Sequence, residues 1–544
     1  MTSVSLEESP LQTDVDQNDT ALEKILSKFR PLGPFYIRFM PLLMFSSLTN
    51  SWFCMNYVFA AANVDYRCKY NCENVSEFIE TALNITTNAE RCLKYPLIDT
   101  NGTCSADNFN VTNAITCTEW VYKDPYSFVA EFNLGCQDWK RTLVGTARSI
   151  GYMIGLLLLG PVSDKIGRKK LIIFTGITGA VAGLVKSFTY SYWLYIALEV
   201  TDGLLGDTYS PNYMLGVEMV SKQNRVYFAP LMIGTMAVGG IILSATAWLF
   251  PYWRYFLRII YAPALLYILY PLFLDESVRW LLIKGKKEDA KDIIRKAAKI
   301  NKTVISEELI TNVQCRKNVA NTNILRLLKI TISSKKLLLR FLACCCMWIA
   351  ATFNKYSLLI NSVSLEGNKY VNYALTAFAD LPACILLTFV LIRFQRKKPL
   401  IGSFLLTGMF CVVQSFMKGY PTTSISLFFI GKLMSAIAYA TVYLYTTELF
   451  PTYTRNTMHA LCSSVGRIGS ILAPQTPLLL RFWTGLPSVI VGGLSLITGV
   501  IIMLMPDTAE DVLPDTVKEA ESLGTRTTYI PVKNNEEECV TNLK

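Results

Sequence analysis

Histidine is almost missing from this chain: its 544 residues contain one, His459. There is also no GxxxxGK[ST] phosphate-binding loop and no nucleophile elbow, so neither ATP-driven work nor histidine-dependent hydrolysis has a basis in the sequence. The chain is therefore not expected to be an enzyme, and no cofactor or metal site is expected. Charge is scarce as well, 17% of residues against 52% hydrophobic, which is too apolar for a soluble protein of this length. A cleavable leader is not evident, because residues 1–30 lack a long apolar stretch and carry Glu7, Glu8, Asp14 and Asp16. The first apolar run should itself act as the targeting signal. The formal net charge of +11 would suit nucleic acid, but Lys and Arg are concentrated in short segments between apolar runs, at 165–170, 284–302, 316–340 and 393–398. That is the distribution of cytoplasmic loops in a membrane protein, and no nucleic-acid partner is expected.

What the chain has in quantity is apolar length. Runs of about 20 residues, enough to cross a bilayer, begin near 39, 142, 171, 191, 227 and 255, and again near 337, 370, 399, 423, 456 and 485. The expected fold is an all-α membrane protein of twelve transmembrane helices in two six-helix pseudo-repeats. Landmarks recur about 230 positions apart: Arg168-Lys169-Lys170 with Arg396-Lys397-Lys398, Glu218 and Arg225 with Glu448 and Arg455, and Glu276-Ser277 with Asp507-Thr508. Paired membrane repeats of this kind build secondary transporters whose substrate site lies between the halves. The expected organisation is a cytoplasmic N-terminus (1–35), a first half (36–275), a cytoplasmic linker (276–336), a second half (337–506) and a cytoplasmic tail (507–544).

With an even number of spans, both termini share the cytoplasmic side and segment 62–141 is exported, which points to a multi-pass protein of the plasma membrane. Six cysteines (Cys68, Cys72, Cys92, Cys104, Cys117, Cys136) and four acceptor sequons (Asn74, Asn84, Asn101, Asn110) lie in that segment. Such a cluster reads as up to three disulfides of undetermined connectivity in a glycosylated loop. The other cysteines, Cys344-Cys345-Cys346 among them, read as small apolar packing residues. Segment 286–300 is amphipathic and is expected to lie along the membrane face between the halves. The polar tail after about 510 is expected to be poorly ordered.

Two motifs suggest gates. GPVSDKIGRKK (160–170) must reverse the chain between spans two and three: Gly167 permits a conformation other residues resist, and Asp164 and Arg168 can form charge-assisted contacts. The matching IRFQRKK segment keeps the cations but has Ile392 and Gln395 where Asp and Gly would stand, so the two gates should not be equivalent. Glu218 and Glu448 each precede an arginine, Arg225 and Arg455, by seven residues at the basic end of a span. Opposite charges there can latch the halves together and release them, a switch that needs only a few kcal/mol of bias.

Taken together, GPVSDKIGRKK, DESVRWLL (275–282), TTELFPTYTRNT (446–457), SVGRIGSILAP (464–474) and MPDTAEDVLPDT (505–516) resemble the organic-ion transporters of solute carrier family 22, in the major facilitator superfamily. The cysteine-rich loop ending in FNLGCQDW (132–139) also resembles that family and differs from sugar porters. The resemblance covers residues 35 to 520 and implies the major facilitator fold, a small organic ion as substrate, and a proton or sodium ion as coupling partner.

Departures bear on the substrate. Arg467 stands where the resemblance implies Asp in cation-selective members and Arg in anion- and carnitine-handling ones. Lys355 replaces a common aromatic beside a retained Tyr356, Cys384 stands where anion transporters place Lys, and Glu199 falls near a common superfamily Arg. Physically, an ionisable group inside a span needs a partner or water. Lys355 and Arg467 in one half, with Glu199, Asp202 and Asp207 in the other, should line the cavity or pair across it. Tyr57, Phe353, Tyr356 and Tyr443 can supply aromatic faces. This set suits a zwitterion such as a carnitine-like compound, or an organic anion with the carboxylates serving ion coupling. The alternatives are an organic cation transporter and a non-transporting receptor or partner protein of the same fold.

Overall fold

The computed structural model describes residues 22–30, 33–69, 92–96, 98, 110, 113–221, 223–306, 309–310, 333–394, 396–417, 419–450, 455–507 and 520–521. Cys72, Cys104, Asn74, Asn84, Asn101, Gln395 and nearly all of the tail after 510 lie outside the described residues.

Twelve helical rods are present, each starting within five residues of its expected position. The first half contains Pro34–Met55, Asp138–Ile166, Arg168–Lys186, Tyr192–Leu205 continuing as Tyr209–Met219, Arg225–Leu249, and Trp253–Tyr261 extended by a 3-10 segment to Phe273. The second contains Lys335–Asn361, Lys369–Phe378 continuing as Asp380–Phe394, Lys397–Ser415, Pro421–Glu448, Arg455–Leu472 with its 3-10 extension Ala473–Arg481, and Leu486–Met503. By length and composition alone, eight helices among the described residues are apolar enough to cross a membrane. The rods that miss that threshold are the first, third, fourth and eleventh, whose polar groups include Asn50, Lys186, Glu199, Asp202 and Arg467. In hydrocarbon such groups must turn inward, and these are the rods that build the interior described below.

Small residues set the closest packing. A side chain at Gly203 in the fourth span would meet the Arg148 carbonyl of the second at 2.2 Å, and one at Gly151 would meet the Val200 carbonyl at the same distance. Without a hydrophobic driving force between helices in lipid, close backbone approach is what holds them together, and here it brings Arg148 against the fourth span. In the second half, Trp348, Phe404 and Tyr445 centre a separate buried cluster.

The halves meet at the end carrying the large loop. Thr142 donates to Gln475 Oε1 (2.9 Å) and Gln475 Nε2 donates to Thr146 (2.6 Å), joining the second span to the eleventh. Ser244 donates to the Tyr370 carbonyl (2.6 Å), joining the fifth to the eighth. Phe59 stacks on Tyr370 and meets Tyr373 edge-on.

Two short antiparallel ribbons organise the loop, Tyr66–Cys68 with Trp120–Tyr122 and Leu93–Lys94 with Ile115–Thr116. Disulfides Cys68–Cys117 and Cys92–Cys136 staple them, settling a connectivity the spacing left open. At the basic end the linker forms helices Val278–Ile283 and Lys287–Asn301. Rather than lying between the halves, the longer helix buries Ala290, Ile294 and Ala297 and packs on the first span. Its terminal Asn301 Oδ1 accepts from the Phe35 N–H (3.0 Å), satisfying one of the orphan donors at the start of that span.

Candidate substrate cavity and gates

The buried charge of the first half is paired within that half. Lys186 Nζ lies 3.0 Å from Glu199 Oε1 and 2.8 Å from Asp202 Oδ2, and Arg148 Nη1 lies 2.8 Å from the same Asp202 oxygen. Tyr261 donates to Asp202 at 2.6 Å and accepts from Lys186 and from Asn56 Nδ2. Two cations and two carboxylates from three spans, all buried, join Tyr261 and Asn56 from two more in one network. Of the two expectations for Glu199 and Asp202, lining the cavity or pairing across it, the second does not hold here: one helical turn apart on one face, they meet cations from the second and third spans of their own half. Arg148 and Lys186 were missed in the sequence. As charges inside apolar runs, they could have been matched to the two carboxylates by the rule that intramembrane charge needs a partner.

Asp207 is placed differently. It sits where the fourth span breaks, accepting from the N–H groups of Tyr209 and Ser210 and from the Ser210 hydroxyl (2.6 Å), and so starts the second helical segment. It also lies within electrostatic range of Arg467 in the other half.

The second half leaves charge uncompensated. Lys432 pairs with Asp380 at 3.1 Å. Arg467 and Lys355 have no carboxylate at salt-bridge distance among the described residues; each is instead set against an aromatic ring. The Arg467 guanidinium carbon lies 4.9 Å from the centre of Tyr152, across the interface, and Lys355 Nζ lies 4.2 Å from the centre of Tyr439. An aromatic face stabilises a cation without neutralising it. Tyr443 and His459 pack edge-to-face, both against Trp348, and Tyr443 remains 50% exposed. Tyr209 of the first half lies within electrostatic range of Tyr439 and Tyr443. Tyr356 adjoins Lys355 and is partly buried, whereas Phe353 and Tyr57 are packed into the core. Tyr152 and Tyr439 were not legible in the sequence, since aromatics in spans are mostly packing.

At the basic end the repeated landmarks make repeated contacts. Arg168 Nη2 pairs with Asp164 (2.9 Å) and Glu218 (3.0 Å), and Arg396 Nε pairs with Glu448 (2.9 Å). Lys169 donates to the Pro271 carbonyl (3.0 Å), as Lys397 does to that of Met503 (3.1 Å). Arg225 reaches Glu23 at 3.7 Å, and Arg455 begins the eleventh span.

Gly167 has φ +106°, and a side chain there would meet Glu276 Oε2 at 2.2 Å. Glu276 Oε1 accepts from the N–H groups of Arg168 and Lys169 (3.0 and 3.1 Å), so a carboxylate caps the positive end of the third span. The sequence showed Glu276 only as a repeated landmark.

The family model described as Major Facilitator Superfamily matches residues 138–474. The organic cation transporter protein of Drosophila melanogaster is 30% identical over 528 residues, covering 92% of this chain and 95% of that one. The chain belongs to the major facilitator superfamily and, within it, to the solute carrier family 22 organic-ion transporters. Solute carrier family 22 member 13 of Homo sapiens is 29% identical, covering 92% and 93% respectively. Among solved structures, the inward-open xylose transporter XylE of E. coli shares the fold at 14% identity and a TM-score of 0.54, over 89% of this chain and 99% of that one. Members of this family are multi-pass membrane transporters of small organic ions, not enzymes.

Proposed function

We infer that this protein moves small organic anions or zwitterions bearing a carboxylate, carnitine-like compounds among them, across the plasma membrane by alternating access. The observation that carries this is the uncompensated pair Arg467 and Lys355, held at an aromatic-walled interface between the halves. An unneutralised cation inside a span is costly unless a watered cavity or a ligand meets it, and a carboxylate answers both groups. Asp207 opposite gives an onium group somewhere to point, which favours a zwitterion; Tyr439, Tyr443 and Tyr356 supply ring faces for its apolar part. Glu199 and Asp202, engaged by Lys186 and Arg148, fall outside the substrate-binding set on this reading.

Alternating access is supported by the distribution of contacts. Those between halves cluster at the disulfide-loop end, while Arg168 and Arg396 at the basic end pair within their own halves. By the charge of the loops the basic end, with both termini, is cytoplasmic, so this conformation faces inward. Asp164, Gly167, Arg168, Glu218, Arg225, Glu448 and Arg455 then form the gate that closes in the outward-facing state, with a proton or sodium ion as coupling partner. A second reading, an organic cation as substrate, rests on the name of the Drosophila relative and on the aromatic walls.

Uptake of labelled organic anions, cations and zwitterions into proteoliposomes separates the two. Carboxylate substrates should be transported and should compete with one another. Efficient uptake of simple monovalent cations, with no inhibition by carboxylates, would overturn the reading.

A further inference from the structure

At the outer end of the first half, away from the cavity, a groove of about 330 Å³ opens beside the start of the sixth span, lined by Glu131, Tyr190, Tyr252, Arg254, Tyr255 and Arg258. Its two arginines are in different states. Arg254 is satisfied: it pairs with Glu131 at 2.7 Å and donates to the Ser187 carbonyl at 2.9 Å. Both oxygens of Glu131 are used, one by Arg254 and the other by the Tyr252 hydroxyl. Arg258, five residues into the span, donates only from Nε to the Ser187 hydroxyl (3.2 Å), and its two terminal nitrogens meet no carboxylate among the described residues. Its guanidinium lies 4.2 Å from the ring centre of Phe188 and 5.5 Å from that of Tyr255.

Around it the rings face outward: Tyr190 is 89% exposed, Phe188 59% and Tyr255 55%. Exposed aromatics at a span end mark the depth of lipid headgroups. A guanidinium with a free planar fork at that depth is matched to a phosphate.

We propose that Arg258 and its aromatic flank bind the phosphate of an outer-leaflet phospholipid, with Phe188 and Tyr255 against the glycerol and upper acyl chain. The occupant is a lipid rather than a free phosphate because the exposed rings of Phe188 and Tyr255 stand directly against the guanidinium, at the end of a helix apolar enough to cross a membrane.

The test is native mass spectrometry of the purified full-length protein incubated with phosphatidylcholine, with and without excess inorganic phosphate. Wild type should retain lipid adducts that phosphate does not displace. Arg258→Gln should lower occupancy by about ten-fold, the scale expected for losing a charge-assisted fork, and Arg258→Lys should restore part of it. Phe188→Ala, which leaves every ion pair in place, should also weaken retention and keeps the proposal testable should Arg258→Gln not fold. Equal adduct formation by Arg258→Gln and wild type, or by Phe188→Ala and wild type where Arg258→Gln does not fold, would overturn the site. Displacement by inorganic phosphate would overturn the lipid as its occupant.

Discussion

The two halves share a plan at the basic end and diverge in the interior. Arg168–Glu218 and Arg396–Glu448 are the same contact made twice, as are the lysine-to-carbonyl bonds of Lys169 and Lys397. Within the bilayer, however, the first half pairs Arg148 and Lys186 with Glu199 and Asp202, while in the second Arg467 and Lys355 lie against aromatic rings with no carboxylate at salt-bridge distance among the described residues. A repeat whose basic ends share a contact can thus be asymmetric in its interior: on the proposed function, the paired network of the first half is a neutral wall and the second half a charged face for substrate. Gate contacts need only be made and broken, which both halves can do alike. Substrate recognition needs uncompensated charge, and having it on one face avoids the cost of exposing it on two.

The strongest way to break this comparison is to unbalance the neutral wall. Lys186→Met strands Glu199 and leaves Asp202 with Arg148 as its one cation, beside the Tyr261 hydroxyl. Removing one partner of a buried charge set typically costs about 3–5 kcal/mol, so folded yield and detergent melting temperature should fall sharply. Near-normal folding of this variant would mean that the network is hydrated and not the wall described. Arg467→Gln should show the reverse pattern, with folding preserved and carboxylate uptake lost by about 2–5 kcal/mol in apparent affinity. Because a planar fork is not replaced by a point charge, Arg467→Lys should be intermediate and Arg467→Asp should abolish or reverse the preference. Unaltered uptake in all three would remove the second half's claim to the substrate.

Gly167→Ala comes next, and it sharpens the difference between the gates. It forces a side chain into φ +106° and against Glu276, a strain of about 1–3 kcal/mol, and should slow turnover more than it lowers surface abundance. Lys355→Ala should reduce uptake in the same direction as Arg467→Gln but less, since Lys355 sets cavity potential from beside Tyr439. Arg396→Ala should have the smallest effect, under about 1 kcal/mol, because its pair with Glu448 is partly solvated. Titrating uptake against substrate concentration for each variant separates affinity from turnover and would expose a wrong order.

Much of this was legible in the chain. Apolar run length located the twelve helical rods seen among the described residues, because a bilayer of set thickness demands helices of set length. The recurrence of Arg168 and Glu218 as Arg396 and Glu448 marked a pair of charges that meet near a span's end in each half. The uneven outer loop was marked by its cysteines, although their pairing was not.

Tertiary structure alone decided the partners. Glu199 and Asp202 looked like candidates to face substrate until Arg148 and Lys186 were seen to reach them from other spans. Asp207 looked equivalent to them until it was seen to accept from the start of the second helical segment of its span instead of from a buried cation. Periodicity tells which residues share a face of one helix, but not which face of which other helix lies opposite. That depends on close approaches such as Gly203 against Arg148, set by how the rods pack.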